Sequence, residues 1–220
     1  MTEAVVYHTE TSDMLIPHNM FRSALSSSAQ VIQPVRDGDS AHVAAVSSYF
    51  DNILRFLDAH HGGEDEIVWP VLVERCVEAR ELIGRMEGEH AAIHELRTRA
   101  GDLLDSWSES ADAVTGRRLA DALASLRDEL EVHFGEEEAE ILPLASANMS
   151  PEEWGALPGH AMAHFSGDKI WLILGLVLEQ MSDEARATTL KLLPPPAVEM
   201  WTTMGEAAFN DFIARVRQTA

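Results

Sequence analysis

The most regular pattern in the chain is a ladder of apolar residues that ends in a histidine and a glutamate. Its members follow one another at steps of four and three residues: Leu119, Leu123, Leu126, Leu130, His133 and Glu137. This spacing predicts an amphipathic helix whose apolar stripe faces the core. Because the histidine and the glutamate continue the stripe, we expect both to be buried, where ionisable side chains are rare unless they are paired or bind a metal.

An earlier segment repeats this arrangement. Its ladder is Val46, Ile53, Leu57, His60 and Glu64, and in both segments a proline stands six residues after the glutamate. Residues four apart lie one above the other on a helix, so each segment presents an imidazole beside a carboxylate. Two such pairs on core-facing stripes predict a metal site inside a helical bundle.

Two further predicted helices carry histidines on their apolar stripes. One begins near residue 13 and places His18 on the same face as Met14 and Phe21. The other runs from about residue 78 to residue 107 and presents His90 and His94 one turn apart. With short connections between them, the four helices favour antiparallel neighbours. The predicted fold class is therefore all-α, with an antiparallel four-helix bundle over residues 13–148.

The chain continues beyond the bundle as a C-terminal helical extension, residues 149–220. Ser150 and Ser182 are each suited to cap a new helix, and three prolines at 194–196 separate the last two. Residues 170–178 are apolar on all sides, so the bundle or a second subunit must cover them. We expect the extension to pack on the bundle and to restrict access to the metal site.

Composition narrows the classes of partner. The chain has 220 residues and a formal charge of −21, which opposes binding to nucleic acid or to an anionic membrane. Cys76 is the single cysteine, so we expect no disulfide within the chain and no cysteine-ligated metal, and a cytoplasmic location. The apolar run at 170–178 is too short to span a bilayer. The oligomeric state is left open.

The candidate ligands form an ordered series along the four helices. They are His18, His60, Glu64, His90, His94, His133 and Glu137. Five imidazoles and two carboxylates exceed the usual six ligands of one first-row ion, but they suit two ions that are bridged by both carboxylates and keep one position open.

Other nearby residues leave alternatives open. His61 is an alternative ligand to its neighbour His60, although it points about 100° away around a helix. His160 and His164 form a further pair one turn apart, which suits a reserve ligand pair, a proton relay or ordinary packing histidines. Gly62 and Gly63 either deform their helix or leave space for a small ligand beside the metal.

This series resembles the hemerythrin family, in particular the bacterial hemerythrin-like (HHE) cation-binding domains. The resemblance covers about residues 13–148 and rests on the order His, His-xxx-Glu, His-xxx-His, His-xxx-Glu. It implies a four-helix bundle with a non-haem di-iron centre, in which the five histidines are terminal ligands and Glu64 and Glu137 bridge the irons. Manganese and zinc are the alternative occupants. The oxygen carriers of the family end their last motif with His-xxxx-Asp, whereas position 138 is Glu here. That difference argues against reversible oxygen carriage.

The sequence leads to three hypotheses about function. The first is a di-iron protein that reacts with oxygen, hydrogen peroxide or nitric oxide, extended by an oxidase or oxygenase activity on a small organic substrate. The second is an iron or oxygen sensor, or an iron store, that acts through its C-terminal helices. The third is a structural bundle with incidental histidines. The sequence does not decide whether the protein is an enzyme; if it is, it is a peroxide- or oxygen-dependent di-iron oxidoreductase.

Overall fold

A computed structural model describes residues 7–218, and this part of the chain contains helices and no strands. The predicted all-α fold class is confirmed. The α-helices, in chain order, are α1 (Leu15–Ser26), α2 (Ser28–Ile32), α3 (Ser40–Gly63), α4 (Trp69–Arg75), α5 (Arg80–Ser110), α6 (Ala113–Glu136), α7 (Leu142–Asn148), α8 (Pro151–Trp154), α9 (Leu157–His164), α10 (Ile170–Glu179), α11 (Asp183–Leu192), α12 (Pro195–Met200) and α13 (Glu206–Val216).

Helices α1, α3, α5 and α6 form the bundle. Polar caps begin two of them, because the side chain of Asp39 accepts from the backbone N–H of His42 and Asp112 accepts from those of Val114 and Thr115. Only residues 111 and 112 separate α5 from α6, which makes these helices antiparallel neighbours. Ala111 turns the chain there in the left-handed region, with φ of 51°.

A wider π turn follows each ladder and begins at its glutamate. These turns are Glu64–Val68 and Glu137–Ile141, and in the first the N–H of Trp69 donates to the carbonyl of Glu64. Proline at position 70 has no N–H to continue the α-helical pattern, and its ring would clash with the carbonyl four residues earlier. The wider turn relieves that clash, and such turns are frequent at functional sites.

Two apolar clusters enclose the ends of the ladders. The larger contains Leu57, Leu130 and Phe134, and the smaller contains Val68 and Ile141 among the residues beyond the π turns. The histidines and glutamates of the two ladders lie between these clusters. Apolar side chains therefore close both ends of the candidate site along the bundle.

The C-terminal helices pack on the outer face of α3, which contacts α9, α10 and α13. Within the apolar run, Leu172 and Leu176 are buried in the larger cluster, and Trp171 and Leu174 pack against its edge. Burying one such leucine contributes roughly 1.5–3 kcal/mol. Among residues 7–218, no helix combines the length and the hydropathy needed to cross a membrane. Treating 13–148 and 149–220 as separate domains stays a prediction.

Candidate metal centre

Two groups of metal-binding side chains meet in the bundle and share Glu64. Within each group the ligand atoms lie within 4.8 Å of one another; one group is His61, Glu64, His90 and His133, and the other is His18, His60 and Glu64. All of these residues are buried, and Glu64 is 0% exposed. Helices α1, α3, α5 and α6 therefore each contribute at least one side chain.

The two glutamates each contact histidines of both groups. Glu64 places Oε1 3.2 Å from Nε2 of His60 and Oε2 3.4 Å from Nε2 of His90. Glu137 places Oε2 3.3 Å from Nε2 of His18 and 3.8 Å from Nε2 of His133. Each carboxylate thus spans the two groups, which is the position a bridging ligand requires.

Six of the buried ligand atoms lack hydrogen-bond partners within residues 7–218. They are Nε2 of His18, His60 and His61, both carboxylate oxygens of Glu64, and Oε2 of Glu137. A buried polar atom without a partner costs about 1–3 kcal/mol, so several together are costly unless something binds them. Imidazole and carboxylate donors suit a first-row transition metal, and these residues therefore fit metal ions in both groups.

Carboxylates outside the two groups fix the rings of three histidines. Nδ1 of His18 lies 2.8 Å from Glu138, Nδ1 of His90 lies 2.8 Å from Asp65, and Nδ1 of His133 lies 2.9 Å from Glu89. Such a partner holds the proton on Nδ1 and turns the lone pair of Nε2 toward a metal. Asp65 and Glu138 are the residues directly after Glu64 and Glu137, so each π turn supplies one glutamate to the centre and one carboxylate to the ring of a histidine.

In the metal-free site, burial and neighbouring charges favour the protonated forms of Glu64, His18 and His90. Burial and the nearby charge of Glu137 raise the pKa of Glu64 to about 7. Burial opposes a charge on His18, but the neighbouring carboxylates of Glu137 and Glu138 outweigh it and raise its pKa to about 9. Burial also opposes a charge on His90, yet the neighbouring carboxylates of Asp65 and Glu64 outweigh it and raise its pKa to about 10.

The other three histidines remain neutral. Burial lowers the pKa of His60 and of His61 well below 6.5. Burial lowers the pKa of His133 to about 4. At neutral pH the site thus offers three uncharged imidazoles, while metal ions must displace the protons on the remaining two.

The structure brings together six of the seven predicted ligands and adds His61. His94 is exposed and belongs to neither group. The buried stripe of α5 passes through His90 and Ile93 instead. His61 is 8% exposed and lies three residues before Glu64, so both it and His60 neighbour that glutamate on the helix. We therefore expect His61, rather than His94, to supply the fifth imidazole.

A cleft of about 810 Å³ between α3 and α5 reaches the site. His61 and His90 line its inner part, and His94 and Arg97 line it together with acidic residues that include Asp65. The cleft connects solvent with one of the two groups. Its volume suits a small molecule.

The two glycines of α3 have different neighbours. Gly62 lines the cleft. A side chain on Gly63 would meet Leu157 at 3.2 Å and Nδ1 of His160 at 3.4 Å, so its absence lets α9 approach α3 closely. Helix packing therefore explains Gly63.

Comparison with known proteins identifies the bundle. The family model described as the hemerythrin HHE cation binding domain matches residues 11–151, more than half of the chain. Searches of curated proteins and of solved structures found no match. His160, His164 and the later helices lie outside the matched residues.

Proposed function

The chain belongs to the family of hemerythrin HHE cation-binding domains, and from this we propose that its buried site holds two iron ions that react with a small oxidant. The oxidants we propose are dioxygen, hydrogen peroxide and nitric oxide. The observation that carries the proposal is the sharing of Glu64 between two buried groups of ligands. A carboxylate in that position suits a pair of metal ions rather than one.

The ligands divide unequally between the two positions. His61, His90 and His133 would hold one iron, and His18 and His60 the other, with Glu64 and Glu137 spanning both. The position with two histidines has fewer protein ligands, and it is there that we expect the oxidant to bind. Iron in such a histidine and carboxylate environment supplies the electrons and the open coordination position for the reaction.

The surrounding residues orient the ligands and control water. The hydrogen bonds from His18, His90 and His133 to carboxylates keep Nε2 of each ring directed at the centre. Phe134 stacks on His18 with the ring centroids 4.0 Å apart, which excludes water from that side. Asp65 lines the cleft and accepts from Nδ1 of His90, so it connects a ligand with solvent protons.

The cleft also has room for a second reactant. Its volume of about 810 Å³ lies in the range of small-molecule sites. An oxidase or oxygenase acting on a small organic substrate would admit that substrate here, beside His61 and His90. The acidic side chains along the cleft favour the entry of ferrous ions and other cations.

Metal analysis of matched variants tests the centre. The purified protein should bind two iron ions per chain and show the visible absorption of a bridged ferric pair. His61→Ala should lower the iron content and change that spectrum, whereas His94→Ala should leave both unchanged. One zinc ion per chain with no visible absorption would contradict the di-iron assignment.

A second experiment tests reactivity. The protein is reduced without oxygen and mixed rapidly with each oxidant while its absorption is followed. Oxidation of the centre faster than that of the His61→Ala variant supports the proposal. Equal rates for the two proteins would show that the reaction does not occur at this site.

A further inference from the structure

A second cluster of potential ligands lies on the surface beside the π turn. It consists of Glu66 from that turn and of His160 and His164 from α9, whose ligand atoms lie within 4.8 Å of one another. None of the three belongs to the buried centre. We propose that this cluster is a third metal site, for an exchangeable divalent cation such as Zn²⁺.

The geometry holds the three side chains close together. Nε2 of His160 lies 3.0 Å from Oε2 of Glu66, and the rings of His160 and His164 stack with centroids 4.0 Å apart. Nδ1 of His164 donates to the carbonyl of His160 at 2.9 Å. That hydrogen bond keeps the proton on Nδ1, so Nε2 of His164 retains its lone pair for a metal.

The two ring nitrogens of His160 have different surroundings. The side chain of His160 is 10% exposed, and its Nδ1 is buried against Gly63 with no hydrogen-bond partner within residues 7–218. That nitrogen faces Gly63, whereas Nε2 lies beside Glu66, so Nε2 is the atom that His160 would offer to a cation.

The chemistry of the set points to a borderline cation. Two imidazoles one helical turn apart with one carboxylate is a ligand combination that zinc uses in proteins, with the fourth position left to water. Glu66 is 65% exposed, so an ion bound there can exchange with solvent. The ion would join α9 to the π turn that carries Glu64. Metal supply would thereby stabilise the contact of the C-terminal helices with the bundle.

Counting bound ions by equilibrium dialysis against Zn²⁺ tests the site. His164→Gln and Glu66→Gln are compared with the wild type and with His8→Gln, which removes an exposed histidine elsewhere on the surface. We expect the wild type and His8→Gln to bind one Zn²⁺ per chain more than either of the other variants. The difference is informative whatever the buried centre holds, because all four proteins share that centre.

Hydrogen exchange gives a second readout. Addition of Zn²⁺ should slow the exchange of backbone amides in α9 of the wild type at least tenfold more than in His164→Gln. Retention of the additional Zn²⁺ by either His164→Gln or Glu66→Gln would overturn the proposal, as would equal exchange of α9 in wild type and His164→Gln.

Discussion

Replacement of Glu64 by glutamine should stabilise the metal-free protein at alkaline pH while it weakens metal binding. Glu64 is 0% exposed, and neither of its oxygens has a hydrogen-bond partner within residues 7–218. Ionising such a carboxylate in the folded protein is costly because it loses its hydration. Glutamine has nearly the same shape and carries no charge at any pH.

The magnitude follows from the pKa. Burial, with the charge of Glu137, raises the pKa of Glu64 from 4.5 to about 7, a difference that corresponds to roughly 3 kcal/mol at about 1.4 kcal/mol per pKa unit. Because the folded pKa is the higher one, stability is fully present below pH 4.5 and is lost as the pH rises through 7. From pH 5 to pH 8, the free energy of unfolding of Glu64→Gln should therefore rise by about 2–3 kcal/mol relative to that of the wild type.

Urea unfolding followed by circular dichroism measures this difference in the presence of a chelator. Glu138→Gln serves as the control with the opposite sign, because hydrogen bonds from His18 lower the pKa of Glu138 to about 2. A carboxylate with a lowered pKa stabilises the fold above its unfolded pKa, so removing it should destabilise the protein at both pH values.

Metal addition completes the experiment. Iron or zinc should stabilise the wild type strongly and Glu64→Gln much less, because binding to the folded state alone raises stability. If the difference between Glu64→Gln and wild type stays constant from pH 5 to pH 8, burial does not raise the pKa of this carboxylate as described above.

Three further predictions concern packing, pH and ligand orientation. A side chain on Gly175 would overlap the ring of Phe209, so Gly175→Ala should destabilise the protein by about 1–3 kcal/mol. At Gly84 the added carbon meets nothing within 4 Å, so Gly84→Ala should stabilise the protein by roughly 0.5–1 kcal/mol. Thermal unfolding of the two variants measures both effects. Metal affinity should increase as the pH rises from neutral to about 10, since His18 and His90 hold protons that the metal displaces, and a competition titration showing constant affinity would contradict this. Asp65→Asn should weaken metal binding roughly 10–100-fold, as measured by chelator competition, and unchanged affinity would mean that its hydrogen bond does not orient the ring.

The bundle could be predicted from the sequence because its signals are local. The leucine ladder of α6 and the cap and proline at the start of α8 each act over a few neighbouring residues. The same holds for the histidine and glutamate that end each ladder. A stripe that is apolar on one side and ionisable at its end predicts both the buried face and the chemistry placed on it.

The choice between His61 and His94 depends on contacts distant along the chain. His61 is buried because its ring stacks on His90 of α5 and lies edge-on to His133 of α6. The apolar ladder of α3 passes through His60, so it does not predict that the neighbouring His61 is buried. The spacing of three residues from His61 to Glu64 and the presence of Ile93 on the stripe of α5 were the available signals.

The π turns were predictable in part. A proline six residues after each glutamate indicates that the α-helical pattern cannot continue unchanged. The sequence did not show that the helix would widen rather than end. The helix continues because the apolar residues beyond the turn pack in the smaller apolar cluster.

The π turns also fix the length of the chain at two places. Val68, Trp69, Leu72 and Cys76 follow Glu64 at the same intervals as Ile141, Leu142, Ala145 and Met149 follow Glu137, and all eight are buried. Each turn acts as a one-residue insertion that resets the helical phase. Deleting one residue inside either turn would rotate everything after it by about 100° and carry the second apolar face into solvent, although the histidine and glutamate before the turn would keep their places. Homologous chains should therefore tolerate substitutions within these segments far better than changes in their length.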